Sequence, residues 1–186
     1  ASIKGKYGRQ PEPKGWLCYS LAVKGFQGGH SGMDIILCRA NANKVGARVM
    51  YALLTKADVK LIDMEGGTLR NAIPRECFAT VYVDPAKLDV AKKVVADVFA
   101  EVKAEYAATD PGCNYVFEPY QCAPGETCDP DECLYVEEGT ALRYIQAILA
   151  CPDGVERMSD QMPGLVETSN NMAMVKIYKG EFFIGN

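Results

Sequence analysis

The sequence predicts an α+β sandwich, in which two long helices cover one face of an antiparallel sheet. Strand-like stretches with alternating apolar residues are separated by two long stretches with helical periodicity. A short glycine-containing link between the second and third strands favours antiparallel neighbours. The 186 residues are 48% apolar, which is enough to bury the core of one domain.

The first strand is predicted over residues 16–26, "WLCYSLAVKGF", where larger apolar side chains alternate with smaller or polar ones. The first helix is predicted over residues 33–56, with Ser31 or Asp34 as its N-cap. Its apolar side chains recur at helical spacing, at Ile36, Ala40, Ala47, Met50 and Leu54.

The second half of the core continues the alternation. Strands are predicted over residues 58–67 and 72–85, a helix over 84–108 that opens at Asp84-Pro85, and a strand over 113–122. The order strand, helix, strand, strand, helix, strand is the split βαβ pattern of a ferredoxin-like sandwich with both helices on one face.

A C-terminal extension is predicted beyond this core. The core takes up about residues 16–123 and the extension about 124–186, within a single domain of residues 1–186. A helix over residues 140–151 and a closing β-hairpin around Lys179-Gly180 are expected in the extension.

Charge and hydropathy exclude two classes of partner. The 20 Lys and Arg against 24 Asp and Glu give a net charge of −4, so nucleic acid is not an expected partner. No apolar run approaches the roughly 18 residues that cross a membrane, and the N-terminal stretch lacks the apolar centre of a signal peptide. A cytoplasmic protein is predicted. The missing initial methionine and the end directly after a strand suggest a segment of a longer chain.

Eight cysteines divide into two groups. Four of them, in apolar periodic segments, are predicted to act as small apolar core residues: Cys18, Cys38, Cys77 and Cys151. The others lie in a loop-like stretch whose spacing matches no CxxC-type zinc knuckle: Cys113, Cys122, Cys128 and Cys133. A loop disulfide and a structural metal both remain open there, whereas the absence of CxxC disfavours a thiol redox protein.

The only histidine of the chain, His30, lies in the glycine corner "GFQGGHSGMD", residues 25–34. Gly28, Gly29 and Gly32 permit backbone angles that side chains forbid and let another surface approach His30. A similar corner, "EGGTLRNAIP", places Arg70 and Asn71 at its tip. The alternative is a turn histidine satisfied by backbone groups, beside ordinary polar caps. One histidine cannot form the common His-rich zinc sites, so no catalytic metal site is predicted in this chain.

Four motifs carry a resemblance to a known family: "GGHSGMDI", "RANAN", "EGGTLRNAIPRE" and "GLVETSNNMA". From about Trp16 to the end, the chain resembles the lid, or dimerisation, domain of the aminoacyl-histidine dipeptidases. These form the cytosolic non-specific dipeptidase branch of the M20 zinc metallopeptidase family. The resemblance implies a ferredoxin-like lid inserted in a larger catalytic domain that is not present here and that binds two zinc ions. It also implies a homodimer and a dipeptide substrate.

The resemblance further implies roles for individual residues. His30 matches the lid histidine that reaches the partner subunit's active site and hydrogen-bonds the scissile carbonyl. Asn71 and Arg70 are expected to contact the dipeptide, Arg70 at its carboxylate, whereas Asn41 in the first helix is interpreted as structural. The isolated chain is expected to be inactive. The alternative function is a stand-alone ferredoxin-like module that binds a protein or small ligand without catalysis.

Overall fold

The computed structural model describes residues 1–121 and 133–186. Its helices are α1 (Ala42–Lys56), α2 (Leu88–Glu105) and α3 (Glu138–Ala150). Its longer strands are β1 (Ser2–Lys6), β3 (Leu17–Lys24), β5 (Lys60–Gly66), β7 (Cys77–Val83), β8 (Asn114–Pro119), β10 (Gly154–Met158), β11 (Val166–Asn170), β12 (Met174–Tyr178) and β13 (Glu181–Gly185). Two-residue strands are β2 (Arg9–Gln10), β4 (Gly29–His30), β6 (Ala72–Ile73) and β9 (Tyr135–Val136).

The main sheet is antiparallel, with the strand order β1-β13-β12-β5-β7-β3-β8. Val23 of β3 faces Cys77 of β7 on one side and Tyr115 of β8 on the other, so these side chains share one face. Helix α1 packs there through Gly46, whose added Cβ would lie 2.8 Å from Cys77 Sγ. Helix α2 packs there through Phe99, whose ring centroid is 4.9 Å from that of Tyr115. The predicted sandwich with both helices on one face is therefore confirmed.

The first helix begins later than predicted. Asn41 is the N-cap of α1, and its side chain accepts a hydrogen bond from the Asn43 N–H at 3.0 Å. Residues 35–37 form a separate 3₁₀ turn that ends at Cys38, whose φ of 52° is left-handed and interrupts the helix. The predicted start at residue 33, and the capping roles of Ser31 and Asp34, are therefore wrong.

The predicted start of the second helix is confirmed at its cap. The Asp84 carboxylate accepts from the Ala86 N–H at 2.9 Å, and a 3₁₀ turn from Pro85 leads into α2. The third predicted strand is divided in two by residues 74–76. Ala72 and Ile73 leave the main sheet and pair instead with β4, while β7 begins only at Cys77.

The sheet has seven strands rather than the four predicted for the core, because the extension adds two strands and the N-terminal segment adds one. The hairpin of β12 and β13 turns at Lys179-Gly180, as predicted, and adds to the edge at β5. Strand β1, which the sequence analysis did not predict, then pairs with β13. The Ala1 amino group lies 3.1 Å from the Asn186 carbonyl oxygen, so the first and last residues are neighbours.

A lysine of α1 binds the C-terminal end of α3. Lys44 Nζ donates to the carbonyl oxygens of Ile148, Leu149 and Cys151 at 3.0, 2.7 and 2.6 Å. These carbonyls belong to the last turn and C-cap of α3 and have no partners within the helix. The positive charge also complements the negative end of the helix dipole. The hairpin of β10 and β11 that follows was not predicted.

The structure confirms the predicted burial of Cys77 but not that of Cys38. Cys77 is buried as predicted, and burial raises the pKa of its thiol to about 12, whereas Cys38 is exposed and does not belong to the core. Cys113 and Cys133 are free thiols, so neither forms the disulfide that was left open. Cys122 and Cys128 lie outside the described residues. No helix among the described residues is long and apolar enough to cross a membrane.

Candidate functional site

The two glycine-containing corners meet in a short ladder. Strand β4 pairs antiparallel with β6, with Gly29 opposite Ile73 and His30 opposite Ala72. The Ser31 N–H donates to the Asn71 carbonyl oxygen at 2.9 Å and extends the pairing by one bond. His30 and Asn71 therefore belong to one site, although 41 positions separate them in the sequence.

The imidazole of His30 is held in one tautomer. Its Nδ1 accepts from the N–H groups of Gly32 at 3.0 Å and Met33 at 3.3 Å. Because a backbone N–H only donates, Nδ1 carries no hydrogen, and the neutral ring carries its proton on Nε2. His30 is exposed, so the Nε2–H group is available as a donor to another molecule or domain.

Asp34 fixes the backbone of His30 from within the glycine corner. Its Oδ2 accepts from the His30 N–H at 2.8 Å, and its own N–H donates to the His30 carbonyl oxygen at 2.8 Å. Gly29 has a φ of 144°, and an added Cβ would lie 2.6 Å from Asp34 Oδ2. Gly28 has a φ of 62°, and Arg39 Nη1 donates to its carbonyl oxygen at 2.6 Å. Both glycines are therefore required by conformation.

Gly32 differs from the other two glycines of the corner. Its φ lies outside the left-handed region, and an added Cβ would lie 3.3 Å from His30 Cε1. The close neighbour is the exposed imidazole rather than the backbone. Gly32 thus contributes through its N–H group and through the space that it leaves beside the ring.

The link between β5 and β7, which carries β6, is held in place by the C-terminal extension. Asn171 Nδ2 donates to the Ala72 carbonyl oxygen at 2.8 Å. The next residue is also fixed, because the Met172 carbonyl oxygen accepts from Asn41 Nδ2 at 3.0 Å and from Asn43 Nδ2 at 3.2 Å. The motifs "RANAN" and "SNNMA" therefore meet beside the corner that carries His30.

Asp153 takes part in the same network of hydrogen bonds. Asp153 Oδ1 accepts from the Met172 N–H and from Asn41 Nδ2, each at 2.8 Å. Burial raises the pKa of the Asp153 carboxyl, although these hydrogen bonds and the nearby Lys44 act in the opposite direction. The interpretation of Asn41 as structural agrees with these contacts, since Asn41 caps α1 and joins the extension to it.

Arg70 and Asn71 are exposed at the tip of the link. A cavity of about 510 Å³ lies between the link and the outer face of β5 and β7, and its lining includes Leu69, Ala72 and Phe78. Neither His30 nor Asn71 belongs to this lining. The candidate site is therefore the exposed ladder, where the donors lie, rather than the cavity.

The described residues do not fit a zinc site. Within residues 1–121 and 133–186, no group of three or more His, Cys, Asp or Glu side chains could hold a metal ion. A catalytic zinc needs at least three such ligands from the protein. These parts of the chain therefore offer hydrogen-bond donors and acceptors but no metal centre.

Asp34 and Asn171 belong to the candidate site, but the sequence did not predict their roles there. Aspartate is common at the start of a helix, which favours a cap at Asp34, and the motif that contains Asn171 assigns it no role. The available signal was the repetition of asparagine in "RANAN" and "SNNMA". Amide side chains in such positions can bind exposed backbone groups from another segment.

Comparison with known proteins agrees with this fold. Residues 21–110 match the family described as the peptidase dimerisation domain. The chain therefore contains an M20 peptidase dimerisation domain, as the motifs suggested. The chain is similar to the cytosol non-specific dipeptidase of Escherichia coli (strain K12), with 36% identity over 167 residues, 90% of this chain and 33% of that protein.

A solved structure shows the same fold. The crystal structure of aminoacylhistidine dipeptidase from Vibrio alginolyticus superposes with a TM-score of 0.86 and 32% identity, covering 98% of this chain and 36% of that one. The predicted ferredoxin-like sandwich with its extension is thus confirmed over nearly the whole chain. The chain spans about a third of the length of these two relatives.

Proposed function

We propose that this chain is the lid of a cytoplasmic zinc dipeptidase that hydrolyses dipeptides, including those with a C-terminal histidine. The observation that carries the proposal is the imidazole of His30, whose Nδ1 is occupied by two backbone N–H groups while Nε2–H remains an exposed donor. The dipeptidase names of the relatives support the reaction class.

In this proposal the Nε2–H group of His30 donates to the scissile carbonyl oxygen. As water adds to the carbonyl carbon, that oxygen gains negative charge and the hydrogen bond becomes stronger. Removing one donor of this kind typically costs about 2.7–4 kcal/mol in the transition state. The ring is oriented before the substrate arrives, because the Gly32 and Met33 amides hold its other nitrogen.

Asn71 and Arg70 would bind the rest of the dipeptide. The backbone of Asn71 pairs with Ser31, directly after His30, so its exposed amide lies in the same site. An amide can donate to a carbonyl or carboxylate without adding charge. Arg70, exposed next to it, offers the planar fork that suits the terminal carboxylate.

The remaining parts of the proposed enzyme lie outside this chain. A catalytic domain would hold two zinc ions and activate the water, and the lid would serve the active site of the other subunit in a homodimer. The name of the matched family, a peptidase dimerisation domain, supports such pairing. Strands β1 and β13 run side by side, which supports insertion of a domain of residues 1–186, because one edge of the sheet could carry both connections.

The test uses the intact enzyme that contains this domain. His30→Ala is expected to lower the turnover rate by roughly 10²–10³ without changing the zinc content. Met33→Ala is the matched control, since Met33 is 77% exposed and the substitution keeps the N–H that binds His30. A near-normal rate for His30→Ala would remove His30 from the mechanism. Hydrolysis of a dipeptide by the 186-residue chain alone would contradict the proposed division of labour.

A further inference from the structure

The ladder that presents His30 and Asn71 is very short. His30 and Ala72 form a pair whose flanking bond runs from the Ser31 N–H to the Asn71 carbonyl oxygen. In such a pair, the N–H and C=O groups of the two facing residues point away from the partner strand. An isolated two-stranded pairing is only marginally stable. Its outward groups must therefore be held by other parts of the molecule.

Those outward groups are held on both sides. On one side, Asp34 binds both the N–H and the C=O of His30. On the other side, Asn171 Nδ2 binds the Ala72 carbonyl oxygen at 2.8 Å. Asn171 is only 8% exposed, so water does not easily replace its amide. The two side chains enclose the ladder between them.

Asn171 is itself held in place by its neighbour. The Met172 N–H donates to Asp153, and the Met172 carbonyl oxygen accepts from Asn41 and Asn43 at the start of α1. Met172 is fully buried. The position of Asn171, and through it that of Ala72, is therefore set relative to the main core.

We infer that Asn171 is a positioning residue, which sets the place of the His30 and Asn71 pair through the Ala72 carbonyl. Asn171 contacts backbone rather than substrate, and it belongs to the C-terminal extension. The inference therefore gives the extension a role in presenting the site. It rests on the proposed function for its catalytic consequence, but its structural part is testable without catalysis.

The first test measures hydrogen exchange at the Ser31 amide of the 186-residue chain. Asn171→Ser removes the bond to Ala72 and is expected to raise this exchange rate about 3- to 10-fold, as the loss of one net hydrogen bond implies. Asn170→Ser is the matched control, because Asn170 Nδ2 donates to the Pro152 carbonyl and not to the ladder. It should leave the Ser31 rate unchanged, and the Phe99 amide in α2 should be unchanged in both variants.

A second variant guards against loss of folding. Asn171→Asp keeps the size of the side chain but, as a carboxylate, cannot donate to the Ala72 carbonyl oxygen. It is expected to speed exchange at Ser31 at least as much as Asn171→Ser. Wild-type exchange at Ser31 in a folded variant, Asn171→Ser or Asn171→Asp, would overturn the inference.

The second test is a double-mutant cycle in the intact enzyme. If Asn171 positions His30 together with Asn71, Asn171→Ser lowers the turnover rate by a larger factor in the wild type than in the His30→Ala background. An equal loss in both backgrounds would show a general structural effect and overturn the inference. A normal rate for His30→Ala alone would instead reject the proposed function, and the exchange test would still decide the positioning role of Asn171.

Discussion

The glycine corner can be tested by a matched pair of alanine substitutions. Gly29→Ala places a Cβ at a φ of 144°, 2.6 Å from Asp34 Oδ2 and 2.7 Å from Asp34 Cβ. Gly32→Ala places a Cβ in an ordinary backbone conformation, 3.3 Å from the edge of the exposed His30 ring. The two substitutions have the same chemistry and lie three residues apart, but only the first one strains the backbone.

The contacts around the two glycines set the expected loss of unfolding free energy in each variant. The backbone strain at Gly29 costs about 1–3 kcal/mol. Displacing Asp34 also loses its bond to the His30 N–H, which is worth about 1.5–3 kcal/mol for a charged acceptor. Alanine recovers about 0.4–1 kcal/mol by restricting the unfolded chain, which leaves a net loss of about 2–5 kcal/mol. For Gly32→Ala we expect a change below about 1 kcal/mol, because the imidazole can move aside.

The assay is urea denaturation of the 186-residue chain, with hydrogen exchange at the His30 amide as a local measurement. Gly29→Ala should lower the midpoint and expose the His30 amide, whereas Gly32→Ala should leave both nearly unchanged. Equal midpoints for the two variants, or wild-type protection of the His30 amide in Gly29→Ala, would refute the geometry assigned to this corner.

Two further predictions concern the contacts that join the extension to the core. Lys44→Met leaves three carbonyls at the end of α3 without their donor, so urea denaturation should show a loss of roughly 2–3 kcal/mol. Burial raises the pKa of the Asp153 carboxyl, so the folded state binds its proton more tightly and stability falls as pH rises through the folded pKa. Asp153→Asn, which keeps an acceptor for Met172 and Asn41, should therefore raise the urea midpoint at pH 7 but not at about pH 3. A lower midpoint at pH 7 would show that the carboxylate is stabilising.

The elements that could be predicted from the sequence are those with one buried face. Strand β3 alternates because Tyr19, Leu21 and Val23 are buried while the residues between them are partly exposed. Strand β1 carries no such signal, since its residues are mostly exposed and it is held by backbone pairing with β13. Strand β1 and the hairpin of β10 and β11 lack the apolar alternation that identifies a half-buried strand.

The unusual backbone of the glycine corner was predictable from the sequence, but the contacts around it were not. The glycines around His30 indicated an unusual backbone, and the structure shows left-handed φ values at Gly28 and Gly29. The start of α1 was misplaced because Ile36 and Ala40 continue the helical spacing, although the left-handed Cys38 lies between them. The bond from Asn171 to Ala72 spans 99 positions. No local pattern encodes a contact of that separation.

The pairing of β1 with β13 has a consequence for the order of assembly. During synthesis, β1 leaves the ribosome before the other strands of its sheet, whereas its partner β13 is made after all of them. At about 5–20 residues per second, β1 waits on the order of ten seconds or more without a partner. The four strands β3, β5, β7 and β8 and their two helices can already form in that time, since they all lie between residues 17 and 119. The pairing of β1 with β13 is then a late step. Until it occurs, β1 is an unpaired strand, but its lysines and glycine leave little apolar surface through which it could aggregate.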